Sequence, residues 1–100
     1  MELLDNIKAT YARCLEIVEK KNLDYATAAD PFRNFRSSLV VGVDIERAML
    51  VRIMDKIGRI SNLLDKPPAV SDESLEDSIL DAINYLALLK ARRTMAKTGN

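Results

Sequence analysis

The chain has 100 residues, 48% of them apolar, and its 15 basic and 15 acidic side chains leave no formal net charge. This predicts one globular domain, residues 1–100, with a modest core that a second copy would help to complete. Zero net charge argues against general nucleic-acid binding, which needs a cationic surplus. No apolar run reaches the length of about 18 residues that a membrane span requires. With no histidine and a single cysteine, Cys14, the chain by itself excludes Ser-His and Cys-His catalysis, histidine-bound zinc and an internal disulfide.

The opening MELLDNIKAT carries acids early and lacks a signal-peptide pattern, which predicts a cytoplasmic protein. Leu4, Ile7, Tyr11, Cys14 and Val18 repeat at three and four, so an amphipathic helix is expected over about residues 3–21. NLDYATAADPFRNFRSS has no clear period and Asp30 precedes a proline, which predicts a structured loop with a short helical turn after Pro31. Asp44 is the expected N-cap of a second helix, whose stripe is read as Leu50, Ile53, Ile57, Ile60 and Leu64. DKPPAV ends it. Ser71 or Asp72 is the expected cap of a third helix with a core stripe of Leu75, Ile79, Ala82, Ile83, Leu86 and Leu89, followed by a frayed tail TMAKTGN. The predicted fold is all-α: a helical hairpin plus an N-terminal helix and a structured loop, assembled as an oligomeric helical bundle.

Three clusters carry candidate chemistry. On the third helix Glu73, Asp77 and Asp81 recur every four residues with Asn84 close behind, so they stack along one side. Stacked like charges cost stability unless a metal or a cationic partner offsets them, and Mg²⁺ suits carboxylate oxygens together with substrate phosphates. An ordinary solvated face is the competing reading. On the second helix Arg52, Asp55 and Arg59 share a face with Lys56 at its margin. These residues either form ion pairs along the helix or offer cations to phosphate oxygens while Asp55 joins the carboxylates. In the loop, Tyr25, Phe32 and Phe35 accompany Arg33, Asn34 and Arg36. Aromatics can stack a base, Asn can read its edge and Arg can hold phosphate, or the aromatics plug the core.

The segments KNLDYATAADPFRNFR, RIMDKIGRISNLL and DESLEDSILDAINYLALL, in this order, resemble the small phage-borne proteins of the nucleotide modification associated domain class. These in turn look like the MazG-like all-α nucleoside triphosphate pyrophosphohydrolases. The resemblance spans roughly residues 20–90. It implies an all-α fold, a phage or prophage origin with action in the host cytoplasm, and homo-oligomers with sites between helices. It also implies a Mg²⁺ ion held among carboxylates on adjacent helices while water attacks a phosphate chain. The carry-over assigns Glu73, Asp77 and Asp81 as metal ligands and Asp55, Asp77 and Asp81 as catalytic groups. Arg33, Asn34, Arg36, Arg52, Lys56, Arg59 and Asn84 are assigned to the nucleotide. The sequence departs from the family in two respects: the Glu-x-x-Asp spacing of the family's second acidic motif is not reproduced on the third helix, and the Glu-x-x-Glu pair expected on the second helix is absent, with Asp55 between Arg52 and Arg59 in its place. A Mg²⁺-dependent pyrophosphohydrolase, a nucleotide-sequestering protein without turnover and a helical adaptor with no small ligand are the readings carried forward.

Overall fold

The computed structural model describes residues 2–25 and 32–97 and, within them, all side chains except those of residues 21–25, 33, 34, 70 and 71. Every regular element among the described residues is helical, and they fall into two compact units, Met1–Pro31 and Phe32–Asn100.

The first unit contains α1, Glu2–Tyr25. It extends the expected helix by a turn at its C-terminal end. Glu2 and Asp5 sit in the first turn, where carboxylates favour the positive helix end. Thr10 donates from its hydroxyl to the Asn6 carbonyl at 2.9 Å, and Arg13 pairs with Glu16 at 3.2 Å in the open. Cys14 is buried, and burial pushes its thiol pKa up. Leu3, Leu4, Ile7, Tyr11, Leu15 and Val18 are 41–70% exposed. They fall within one side of the helix at 100° per residue.

The second unit begins with a short α2, Arg33–Arg36, and a 3-10 turn, Ser37–Val41. The helical turn expected after Pro31 is present and continues into the 3-10 turn, while residues 26–31 of the expected loop lie outside the described residues. Gly42 ends the turn at φ 77°, a left-handed conformation that an L side chain resists, and its N–H donates to the Leu39 carbonyl at 3.1 Å. The Val43 N–H reaches Ser38 O at 3.0 Å. The Ser38 hydroxyl lies 2.8 Å from Phe35 O and 2.7 Å from Val43 O and can donate to one of them at a time. These bonds turn the chain into α3, Ile45–Leu64, which Asp44 caps as expected by accepting the Arg47 N–H at 2.8 Å. The same carboxylate also receives the Arg47 guanidinium.

Leu64 ends α3, and α4, Pro68–Lys97, follows after three residues. Proline at the first helical position costs nothing, because its missing N–H would be unpaired there. This is why α4 starts before Ser71 and Asp72, the expected caps. At the other end the helix runs through most of TMAKTGN to Lys97. Ser78, buried on α4, satisfies its hydroxyl on the Ser74 carbonyl at 2.8 Å.

Two ion pairs tie α3 to α4, Lys56 to Asp81 at 3.0 Å and Arg93 to Glu46 at 2.8 Å. Ten residues forward along α3 match twelve residues back along α4, which fixes an antiparallel hairpin. Its core gathers Phe32, Phe35, Ile45 and Met49, with Ala48, Tyr85, Leu88 and Leu89 packed against them. The Phe35 and Tyr85 rings meet edge to face at 6.2 Å, and the Arg92 guanidinium lies 5.0 Å over the Phe32 ring. Phe32 and Phe35 thus plug the hairpin and are not free to stack a base. The side chain of Tyr25 lies outside the described residues.

Both helical stripes are shifted from the sequence reading. On α3 the covered side is Ile45, Met49 and Ile53, with Lys56, Ile60 and Leu63 half-buried, whereas Leu50, Ile57 and Leu64 are exposed. On α4 Ala82 of the expected stripe is buried and Leu75, Ile83 and Leu89 are half-buried, but Ile79 and Leu86 are exposed while Ser78 and Leu80 are buried. Each helix carries apolar residues over more than half its circumference, so periodicity leaves the phase open. The aromatic plug and the cross-hairpin ion pairs select it.

Candidate functional site

The residues singled out for chemistry on α3 and α4 lie along one rim of the hairpin. Its centre is the Lys56–Asp81 pair, with the two side chains 30% and 35% exposed. Lys56 follows the core side of α3, so its alkyl stem runs beside apolar neighbours and brings the ammonium to α4. Asp81 is therefore turned toward α3. The step of four that joins Asp77 and Asp81 does not make them equivalent: Asp77 is exposed, as is Glu73 a turn earlier.

Arg52 lies one turn before Lys56 and Arg59 one turn after it, about 10 Å apart along the axis at 1.5 Å per residue. Both are exposed. Among the described residues no ion pair joins Asp55 to either arginine, although the spacing would allow one. Asp55 is exposed beside them. The antiparallel register sets Asn84 about two residues from the level of Arg52, and Asp77 level with Arg59. Asn84 is half-buried, and its Nδ2 is shielded from water without an acceptor. A buried donor left without a partner costs desolvation energy that nothing among the described residues returns.

The loop residues contribute less to this rim. Arg36 is exposed at the end of α2, and the side chains of Arg33 and Asn34 lie outside the described residues. Phe32 and Phe35 have gone to the core at the far end of the hairpin.

Among the described residues no three of His, Cys, Asp and Glu come together as a ready-made metal site. The one acid of the set that faces the opposite helix, Asp81, already has an ammonium at 3.0 Å. That charge opposes a cation in the same place.

A second concavity lies where the N-terminus of α3 meets the end of α4. Asp44, Ile45, Glu46, Arg47, Leu50, Arg92 and Arg93 line an open cleft of about 390 Å³. Sequence reasoning missed it because its residues come from both ends of the hairpin. Its charges are largely spoken for: Asp44 caps α3 and pairs with Arg47, Glu46 pairs with Arg93, and Arg92 stacks on Phe32. The backbone bond from Arg47, and then its side chain, hold the Asp44 carboxyl below its ordinary pKa. No helix among the described residues is long and apolar enough to cross a membrane. Comparison with protein-family models, with curated proteins and with solved structures found no match for this chain.

Proposed function

We propose that this chain is a nucleotide-handling protein that binds its ligand through phosphate without turning it over. The observation that carries the reading is the cationic row of α3. Arg52 and Arg59 bracket Lys56, both are exposed, and neither is neutralised by Asp55. Two guanidiniums about 10 Å apart can each grip phosphate oxygens in bidentate fashion, at the two ends of a polyphosphate or on separate phosphates of a larger nucleotide. Binding needs these groups and no assembled carboxylate set. Hydrolysis through Mg²⁺ would need the carboxylates as well, and Lys56 holds Asp81 instead.

Calorimetric titration with a panel of nucleoside triphosphates and cyclic nucleotides, with and without Mg²⁺, tests this when the mixtures are then analysed for product. The expected result is saturable binding with the ligand recovered intact. Loss of two charge-assisted phosphate contacts in Arg52→Gln/Arg59→Gln should weaken it roughly a hundredfold. Because both arginines are exposed, the melting temperature of that variant should not move. Equal binding by both proteins, or none by either, would remove the reading. Mg²⁺-dependent product would restore the pyrophosphohydrolase.

A second reading, assembly without a small ligand, is favoured by a different feature. Leu50, Met54, Ile57 and Leu64 leave an apolar stripe exposed along the outer side of α3, and α1 leaves another.

A further inference from the structure

We infer that the exposed face of α1 is a docking surface for the same face of a second copy of this chain, packed antiparallel. The inference does not rest on the nucleotide reading.

Leu3, Leu4, Ile7, Tyr11, Leu15 and Val18 are exposed along one side of the helix, around a buried Cys14. An exposed apolar face of this length marks an interaction site. The opposite side of the helix carries Glu2, Asp5, Arg13, Glu16 and Lys20, a mixed set with an acidic excess. An interfacial helix bound to anionic lipid needs a cationic polar side, so a lipid surface is disfavoured.

The charges at the margin of the face point to a second copy. Lys8 and Glu19 are eleven residues apart, about three helical turns, so they flank the face on the same side. In an antiparallel pair related by a twofold axis, the same flank of each helix meets its own copy. Lys8 in the first third of one helix then stands opposite Glu19 in the last third of the other, and symmetry makes the contact twice. In that register Ile7 comes within about two residues, or about 3 Å, of the level of Val18 on the partner helix, and Tyr11 lies closer still to the level of Leu15. The apolar and charged layers therefore match together. In a parallel pair Lys8 would face the other flank, at Leu3 and Thr10, where it meets no charge. Opposed helix dipoles favour the antiparallel arrangement further.

The charge pattern supplies its own test. Lys8→Glu leaves two acids on the flank, and Glu19→Lys leaves two bases. Each variant alone repels itself across the twofold axis, but an equimolar mixture of the two restores both opposite-charge contacts in a heterodimer. Sedimentation equilibrium of the full chain should show self-association of the wild type. Either single variant should dissociate about tenfold more readily, since two exposed pairs turn from attraction to repulsion. The mixture and the Lys8→Glu/Glu19→Lys double variant should return to wild-type affinity. A monomeric wild type would overturn the proposal, as would a Lys8→Glu variant that associates normally or a mixture no tighter than its components. Recovery in the mixture also shows that both variants are folded. Nucleotide binding, which uses residues of α3, serves as the independent readout: its loss in wild type would leave this result untouched.

Discussion

The apolar faces of α1 and of α3 repeat with similar spacing, yet the two helices meet different ends. On α3 Ile45, Met49 and Ile53 are closed over, with the α2 aromatics and α4 packed on that side, and Met49 is 0% exposed. On α1 six large apolar side chains stay in the open. The difference lies in the connections. Only three residues join α3 to α4, so the loop that brings these two helices together is short and costs little entropy to close. An apolar stripe records that a face wants cover. It does not record whether the cover comes from the next helix or from another molecule.

The sharpest way to test this contrast is to truncate one apolar side chain on each helix. Met49→Ala should cost about 3 kcal/mol, since it removes a wholly buried side chain and leaves a cavity. Ile7→Ala, at a residue 42% exposed, should cost less than about 1 kcal/mol in the dilute monomer, because little burial is lost. Urea unfolding of both variants at low protein concentration gives the comparison directly. Equal losses would mean that α1 is as firmly packed as the hairpin.

Glycine 58 probes the outer side of the hairpin. It sits mid-helix in α3, and a Cβ placed there meets nothing within 4 Å. Gly58→Ala should therefore stabilise the hairpin by about 0.5–1 kcal/mol through helix propensity alone. Gly42→Ala should do the reverse despite equally open space, because its φ of 77° strains any side chain. A thermal melt of each separates the two effects by sign. A loss in Gly58→Ala would mean that this side of α3 is already covered by another molecule.

Much of the architecture is legible in the residues themselves. Three helices follow from spacing, and Asp44 as the cap of α3 follows from its chemistry. The phase of each helix does not. Ile57 and Leu86 fit a core stripe as well as Met49 and Tyr85 do, and the docking of Phe32 and Phe35, with the cross-hairpin ion pairs, decides between them. The rim was legible in part, since the row of Arg52, Lys56 and Arg59 can be read from spacing. The partner of Asp81 could not be, because Lys56 reaches it across the hairpin and not along one helix. The start of α4 at Pro68 was hidden for another reason: a proline that ends one helix can open the next.

That pairing reverses the sign expected for Asp81→Asn. Read as a repelled carboxylate in a stack, Asp81 could be neutralised with no loss or a small gain. Paired with Lys56 at 3.0 Å, its neutralisation should cost about 0.5 kcal/mol, a modest figure because each side chain is about a third exposed. Arg13→Ala on α1 breaks a pair that is 59% and 67% exposed and should cost no more than its small loss of side-chain packing. Chemical denaturation at low and high salt distinguishes them, since the Asp81 effect should shrink as salt screens the pair. If Asp81→Asn is neutral at low salt, Lys56 is not its partner in solution, and the acid is again open to a cation.

The smallest effect is a titration confined to the hairpin. Asp44 accepts the Arg47 N–H and faces the Arg47 guanidinium, and both hold its carboxyl below the ordinary value of 3.8. A carboxylate with a lowered folded pKa adds stability that is fully present above the unfolded value. That stability is lost as pH falls below 3.8 and through the folded pKa. Acid should thus weaken the N-terminal turn of α3, and Asp44→Asn should abolish that part of the pH dependence while keeping an acceptor for the backbone. The Arg47 amide resonance reports the change directly, because its hydrogen bond ends on the titrating group. It should shift with a midpoint below 3.8 in wild type and lose that transition in Asp44→Asn.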